Sequence, residues 1–297
     1  MIDKLELFMA LARERHFGRA AAACNISQPT LSSAIKQLEE QLGVQLVRRG
    51  ARFHGLSPEG ERVLDWARRI VADWRTMTAE MRAAHQGLAG TATIAAIPTA
   101  LSMVQELTAS VSASHPGVTF TVLSRSSVQI ISMVDNLEAD IGITYLDNEP
   151  LSAVTPVPLY TEHYRFICAP GMADAPQGTI SWADAARYPL CLLTPDMQNR
   201  RIINRFLSES GAMPSPVIET DSVIAMMAHI RSGRCAGILP EKLAAFFAGT
   251  APLVTLPLGE PQGYFRVGVI AKRQDPHTPL VETLLRHAGR LASRMQE

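Results

Sequence analysis

The segment spanning residues 18–43, GRAAAACNISQPTLSSAIKQLEEQLG, constrains this chain more than any other. Four small residues, Ala20 to Ala23, suit a short helix packed closely on its neighbours, and Asn25, Ile26 and Ser27 suit a tight turn. Ser27 is placed to cap a second helix, with Pro29 in its first turn, where a missing N–H costs nothing. Leu31, Ala34, Ile35, Leu38 and Leu42 recur at spacings of three and four and predict one apolar face. Gln28, Thr30, Ser32, Ser33 and Lys36 fall on the opposite face, at the front of the same helix. Short polar and long cationic side chains of this kind suit base edges and phosphates, and a helix-turn-helix that lays its second helix in a major groove needs this arrangement. An ordinary helical pair with a solvated face carries the same pattern, so the flanking sequence decides between them.

That flank is basic. Between Gln41 and Pro58 there is no Asp or Glu, while Arg48, Arg49 and Arg52 stand there with His54. Gly43, Gly50 and Gly55 allow a turn between two short extended pieces, giving a cationic hairpin able to lie along a phosphate backbone. Helix pair and hairpin together predict a winged helix-turn-helix whose DNA contacts come from Gln28, Pro29, Thr30, Ser32, Ser33, Lys36, Arg48, Arg49 and Arg52.

Residues 1–60 resemble the DNA-binding domain of the LysR-type transcriptional regulators. The resemblance is carried by Ala20-Ala21, Ser27-Gln28-Pro29, Leu31-Ser32, Ile35, Leu38-Glu39 and Leu42-Gly43, and continues through Leu46, Arg49, Arg52, Leu56-Ser57 and Gly60. Two positions depart from that pattern: Ser33 stands where the family often has Arg, which bears on operator preference, and Val47 replaces a common Phe, a packing change. The C-terminal part matches more by layout than by residues.

Composition sets looser bounds. The 297 residues suffice for two or three compact units, and the formal net charge is zero. Residues 1–60 carry a net +2, residues 61–90 a net +1 and the remainder a net −3, so DNA affinity would depend on the local arginine cluster and on dimerisation. Asp3, Lys4 and Glu6 interrupt the N-terminus, which does not read as a signal peptide, and no stretch approaches the roughly 20 apolar residues of a membrane span. The expected location is the cytoplasm, with no membrane partner. Cys24, Cys168, Cys191 and Cys235 are widely spaced, with no CxxC pair, and read as reduced structural thiols. No metal-ligand spacing is present, and no cofactor is expected.

Residues 58–89 predict one long helix, capped by Ser57, with Pro58 in its first turn and Glu59 and Glu61 at the positive end of its dipole. Val63, Ala67, Ile70, Trp74, Met77, Met81, Ala84 and Leu88 alternate spacings of four and three, a heptad seam suited to a partner helix. Residues 61–89 are therefore the expected dimerising linker. Two helix-turn-helix units held by a symmetric coiled coil would read an inverted repeat in double-stranded DNA.

From Thr91 onward short strands alternate with helices. Thr91–Pro98, Thr119–Arg125 and Asp140–Tyr145 read as strands, with helices over about 99–114 and 128–137, a mostly parallel βα arrangement. After Pro156 and Pro158 the chain enters a second α/β unit, with strands at Tyr164–Ala169, Leu190–Leu193, Val217–Thr220 and Ala236–Leu239 and helices beginning near Trp182, Met197, Ser222 and Glu241. Tyr264–Arg273 reads as a returning strand, and residues 278–295 as a closing amphipathic helix. Periodicity gives two α/β units. The family resemblance implies the rest: a two-lobed, periplasmic-binding-protein-like (type II) effector domain over 90–297, with lobe I at about 90–160 and 265–297, lobe II at about 161–264, and a hinge near Tyr160–Tyr164 and Gly263–Arg266.

In open α/β sheets ligands bind beyond the carboxyl ends of strands, at helix N-termini. That places Thr99, Ala100, Ser126, Ser127, Gln129, Thr144, Gln198 and Asn199 as candidate effector contacts, with Arg200 or Arg201 supplying charge for an anion. Ser and Thr at helix starts also serve as simple caps, and adjacent arginines also pair on the surface. The reading that follows is a multidomain regulator whose operator binding responds to a small-molecule effector; the helix N-termini and arginines favour an anion, while Asp196 and Asp221 leave its polarity open. The resemblance implies a homotetramer, with RNA polymerase as a further partner. A solute-binding protein of a transport system is the alternative, but it leaves residues 1–60 without a role. No dinucleotide, P-loop or nucleophile motif supports an enzyme.

Overall fold

The structure, a computed structural model, describes residues 1–48, 53–147, 151, 154–172, 178–249, 252–260 and 263–296. The chain divides into two compact units, one made of residues 1–88, 135–138 and 274–280, the other of residues 89–134, 139–273 and 281–297.

The first unit is built on α1 (Ile2–Glu14), α2 (Phe17–Ala23), α3 (Gln28–Leu42) and α4 (Pro58–Gln86). Local chemistry sets the ends. Arg15 turns left-handed after α1, the His16 ring caps α2 by accepting from Arg19 N, and the Ser27 hydroxyl caps α3 by accepting from Thr30 N at 3.2 Å. Gly43, at φ 69°, closes α3, and Leu42 just before it is 42% exposed instead of joining the apolar face. Leu5, Phe8, Leu11, Ala20, Leu31, Ile35 and Leu38 form the core, and Leu46, Leu64 and Ala67 close it. Val47 and Leu56 form an antiparallel bridge and Arg48 N bonds Gly55 O at 3.1 Å, the base of the expected hairpin. Arg49, Gly50 and Arg52 lie outside the described residues. Ser57 caps α4 through Gly60 N at 2.8 Å. Gly60 is required by a close approach: a Cβ there would lie 2.1 Å from the Leu46 carbonyl oxygen. At its far end α4 stops at Gln86, because Gly87 takes φ 74°, so Leu88 falls off the helix.

The second unit opens with β1 (Gly90–Ala96), a 3₁₀ turn (Pro98–Ala100), α5 (Leu101–Ser114), β2 (Val118–Ser124), α6 (Ser127–Asp135) and β3 (Ile141–Tyr145). β4 (Val154–Glu162), β5 (Tyr164–Cys168), α7 (Trp182–Ala185), β6 (Cys191–Leu193) and α8 (Gln198–Glu209) follow. The chain ends with β7 (Ile218–Thr220), α9 (Val223–Arg231), β8 (Gly237–Pro240), α10 (Glu241–Ala248), β9 (Val254–Pro257), β10 (Phe265–Lys272) and α11 (Pro279–Gln296). One sheet has the order β2-β1-β3-β10-β4, with β1 parallel to β2 and β3, and β10 antiparallel to β3 and β4. A second sheet, β8-β5-β9, is antiparallel, and β6 pairs with β7 in parallel.

Two strands differ from the sequence expectation. β4 runs straight through Pro156 and Pro158, which read as a crossover; it is an edge strand paired only with β10, where a missing N–H is tolerated. β9 was not expected, and it makes β5 the centre of an antiparallel trio instead of part of a parallel repeat. The chain leaves the first sheet at Glu162 and enters the second at Tyr164, with only His163 between.

Candidate nucleic-acid interface and ligand cleft

On α3, Gln28, Pro29, Thr30, Ser32, Ser33 and Lys36 are all exposed or half-buried, while Leu31, Ile35 and Leu38 are buried beneath them. Arg48 is exposed at the start of the hairpin. Glu39, which entered the sequence reading only as part of a pattern, proves to be structural. Its carboxylate accepts hydrogen bonds from Leu46 N at 2.8 Å and Val47 N at 3.2 Å, tying the hairpin strand to the helix that would enter the groove. A carboxylate one turn from a helix end, facing a segment without acids, was the available signal.

The seam on α4 separates into two parts. Ala67 is buried and Val63 half-buried within the unit's own core. Ile70, Trp74, Met77 and Met81 are exposed by 42%, 46%, 48% and 56%. The first heptad thus serves the unit itself, and the next two present a bare apolar stripe.

The second unit holds a cleft of about 890 Å³ lined by Pro98, Ser126, Gln129, Thr194, Met197 and Asp221, among others. Of the predicted effector contacts, Ser126 and Gln129 line it, and the others are not among its lining residues. Ser126 and Gln129 cap α6 together: Gln129 Oε1 accepts from Ser126 N at 3.0 Å and from its hydroxyl at 3.2 Å. Ala100 is buried. Thr99 Oγ1, Ser127 Oγ, Thr144 Oγ1 and Asn199 Oδ1 are buried side-chain atoms without a hydrogen-bond partner. Such atoms cost free energy unless a ligand or water completes them.

The arginines must be corrected. The Arg200 guanidinium is buried and bonds the Leu193 carbonyl at 2.7 Å, Asn204 at 2.7 Å and Glu219 at 2.6 Å, so it braces α8 against β6 and β7. Arg201 donates to Gln198 Oε1 at 2.7 Å and to the Asp196 carbonyl at 2.9 Å, and this contact also occupies Gln198. Neither offers a free fork to a carboxylate.

Sequence reasoning passed over a buried cluster at the crossing between the sheets. Glu162 Oε2 accepts from Tyr145 OH at 2.5 Å and Tyr164 OH at 3.1 Å, and Asn199 Nδ2 approaches Tyr164 OH at 3.5 Å. Glu162 Oε1 is the fifth unpartnered buried atom among the described residues. Burial, only partly opposed by the two tyrosine hydrogen bonds, pushes the Glu162 carboxyl up to about 7. The signal was an acid inside the segment expected to form the hinge.

Cys168, Cys191 and Cys235 are buried thiols; desolvation and the neighbouring Cys235 push Cys191 up to about 12, which suits packing rather than nucleophilic chemistry. Among the described residues no helix is long and apolar enough to cross a membrane.

Residues 2–61 match the family described as "Bacterial regulatory helix-turn-helix protein, lysR family", and residues 85–293 match the "LysR substrate binding domain". The chain belongs to the LysR family. It is a DNA-binding transcriptional regulator with an effector-binding domain, and a transport role is not favoured. Among the relatives, the HTH-type transcriptional regulator XapR of Escherichia coli is 40% identical over 97 residues, 33% of either chain. The E. coli protein YbhD, an uncharacterized HTH-type transcriptional regulator, is 25% identical over 95% of this chain and 88% of its own. A full-length OxyR variant from Pseudomonas aeruginosa shares the fold at a TM-score of 0.70, with 24% identity and 97% of both chains covered.

Proposed function

We propose that this LysR-family protein is a cytoplasmic homodimer, further paired to a tetramer, that binds an inverted-repeat operator and changes its grip when a small-molecule effector enters the cleft of residues 90–297. The front of α3 reads base edges with Gln28, Pro29, Thr30, Ser32, Ser33 and Lys36, and the hairpin arginines Arg48, Arg49 and Arg52 hold phosphates. Two copies join along Ile70, Trp74, Met77 and Met81 of α4, and the effector is bound rather than turned over. Effector closing the cleft biases the linker helices and hence half-site spacing or DNA bending.

The observation that carries the regulatory part is the set of unpartnered buried atoms on Thr99, Ser127, Thr144 and Asn199, at strand ends and helix starts where an α/β domain holds ligands. With Arg200 and Arg201 engaged, the ligand's polar groups are met by these side chains together with Ser126 and Gln129 of the cleft lining. The test is a DNase footprint on the DNA upstream of the protein's own gene, with and without a panel of small anions and uncharged polar compounds. Protection over an inverted repeat, shortened or shifted by one compound, is expected. Specific protection by a chain lacking residues 1–60 would overturn the assignment of DNA binding to α3.

A further inference from the structure

Glu162 ends β4 and is 2% exposed. Its two oxygens differ: Oε2 takes both tyrosine hydroxyls, while Oε1 takes nothing. The groups that face it are uncharged. Tyr145 comes from β3 and Tyr164 from β5, with Tyr160 nearby on its own strand. From α8, Asn199 reaches Tyr164, and the Thr99 hydroxyl, on the 3₁₀ turn, lies near Tyr145 without a hydrogen bond to it. The β10 residue in register with Glu162 is Phe265; the neighbouring Arg266 turns to Asp147 at 2.8 Å, and His163 packs on the Tyr264 ring. Among the described residues no cation acts on Glu162. A carboxylate this deep without a counter-ion is costly, whereas protonation removes the cost and makes the free oxygen a donor.

We propose that Glu162, carrying its proton on Oε1, donates a hydrogen bond to an oxygen of a small monoanionic effector, so that the protein binds effector and proton together; this rests on the reading of the cleft as the effector site. The pairing leaves the buried site with one net negative charge. Charge at the cleft narrows the class further. Among the described residues lining it, Glu219 is paired with Arg200, which leaves Asp196 and Asp221 against Arg125, so a dianion meets more repulsion than a monoanion accompanied by a proton.

The test is calorimetric titration of the full-length protein with sodium acetate, sodium nitrate and sodium sulfate, in two buffers of different protonation enthalpy, which counts protons taken up. At least one monoanion binds and sulfate does not. At about pH 8 close to one proton enters with the anion, and affinity falls about fivefold between pH 7 and 8 and nearly tenfold per pH unit above that. Glu162→Gln binds the same anion with no proton uptake and a flat pH profile. Binding by the natural chain without proton uptake overturns the inference yet leaves the effector cleft standing, provided Asn199→Ala abolishes that binding. Failure of both monoanions overturns it too; the cleft reading falls as well only if an effector-induced footprint shift survives in Thr99→Val and Asn199→Ala. Should Glu162→Gln not fold, infrared spectroscopy of the natural chain decides: a protonated-carboxyl band disappearing with a midpoint near pH 7 supports the proposal, and its absence at about pH 6 overturns it.

Discussion

Single atoms decide much of the behaviour expected of this chain. Glu162 is the clearest case, because burial raises its carboxyl from the ordinary 4.5 to about 7. A raised acid favours the protonated native state, so its contribution is complete below about pH 4.5 and is lost as the pH rises through about 7. Each tenfold change in proton affinity is about 1.4 kcal/mol, so the loss is on the order of 3 kcal/mol. Denaturant unfolding of the full chain should therefore show stability declining across that window, and Glu162→Gln should flatten the decline; a parallel decline in the variant would place the cause elsewhere. Gly60 acts by sterics instead. A methyl group 2.1 Å from the Leu46 carbonyl cannot be accommodated without moving the hairpin strand off the start of α4. Gly60→Ala should cost about 2–4 kcal/mol, read as a lower unfolding midpoint, and should also weaken operator binding.

At the scale of elements, α3 is set by its ends. The Ser27 hydroxyl satisfies Thr30 N, and its loss in Ser27→Ala should cost about 1 kcal/mol, measurable as a shift in thermal midpoint with the DNA-contacting face left intact. Glu39 has a different effect, because it accepts two N–H groups from the hairpin strand. Glu39→Ala should lower operator affinity more than stability, since it frees the hairpin from the helix; an unchanged operator affinity would remove that role. The helix was legible in the sequence because cap, proline, apolar period and closing glycine all agree over one short span. β4 was not, because prolines argue against a strand until its partner strands are known, and edge position is a tertiary fact. β9 suffered in the same way, being a short strand whose only partner is distant in sequence. Ser126 and Gln129, which line the cleft, and the buried Thr99, Ser127, Thr144 and Asn199 could be named from strand-end logic alone. Arg200 and Arg201 were misjudged because the neighbours that occupy a guanidinium, Leu193, Asn204 and Glu219, are visible only once β6 and β7 are paired. Tyr145, Glu162 and Tyr164 escaped for the same reason, since they meet only where β3 and β4 end on either side of β10 and β5 begins.

For the whole molecule, the bare stripe on α4 governs how the chain reads DNA. One α3 meets too few base pairs for a specific site, and the formal charge of the chain is zero, so electrostatics alone cannot compensate. Joining two copies turns the second contact into an intramolecular event, with a gain of about 100-fold or more in affinity without any new DNA contact. Trp74 and Met77 lie at the centre of the exposed stripe, whereas Ala67 belongs to the core of its own unit. A double substitution Trp74→Glu, Met77→Glu should therefore separate the copies without unfolding the helix-turn-helix, while Ala67→Glu should unfold it. Sedimentation should show the doubly substituted chain shifted to smaller species with helical content retained. On an operator with both half-sites its affinity should drop about 100-fold, while affinity for a single half-site should stay near that of the natural chain. If full-site affinity persists in a variant shown to have dissociated, the two helix-turn-helix units are being held together by some other surface, and the stripe has a different occupant.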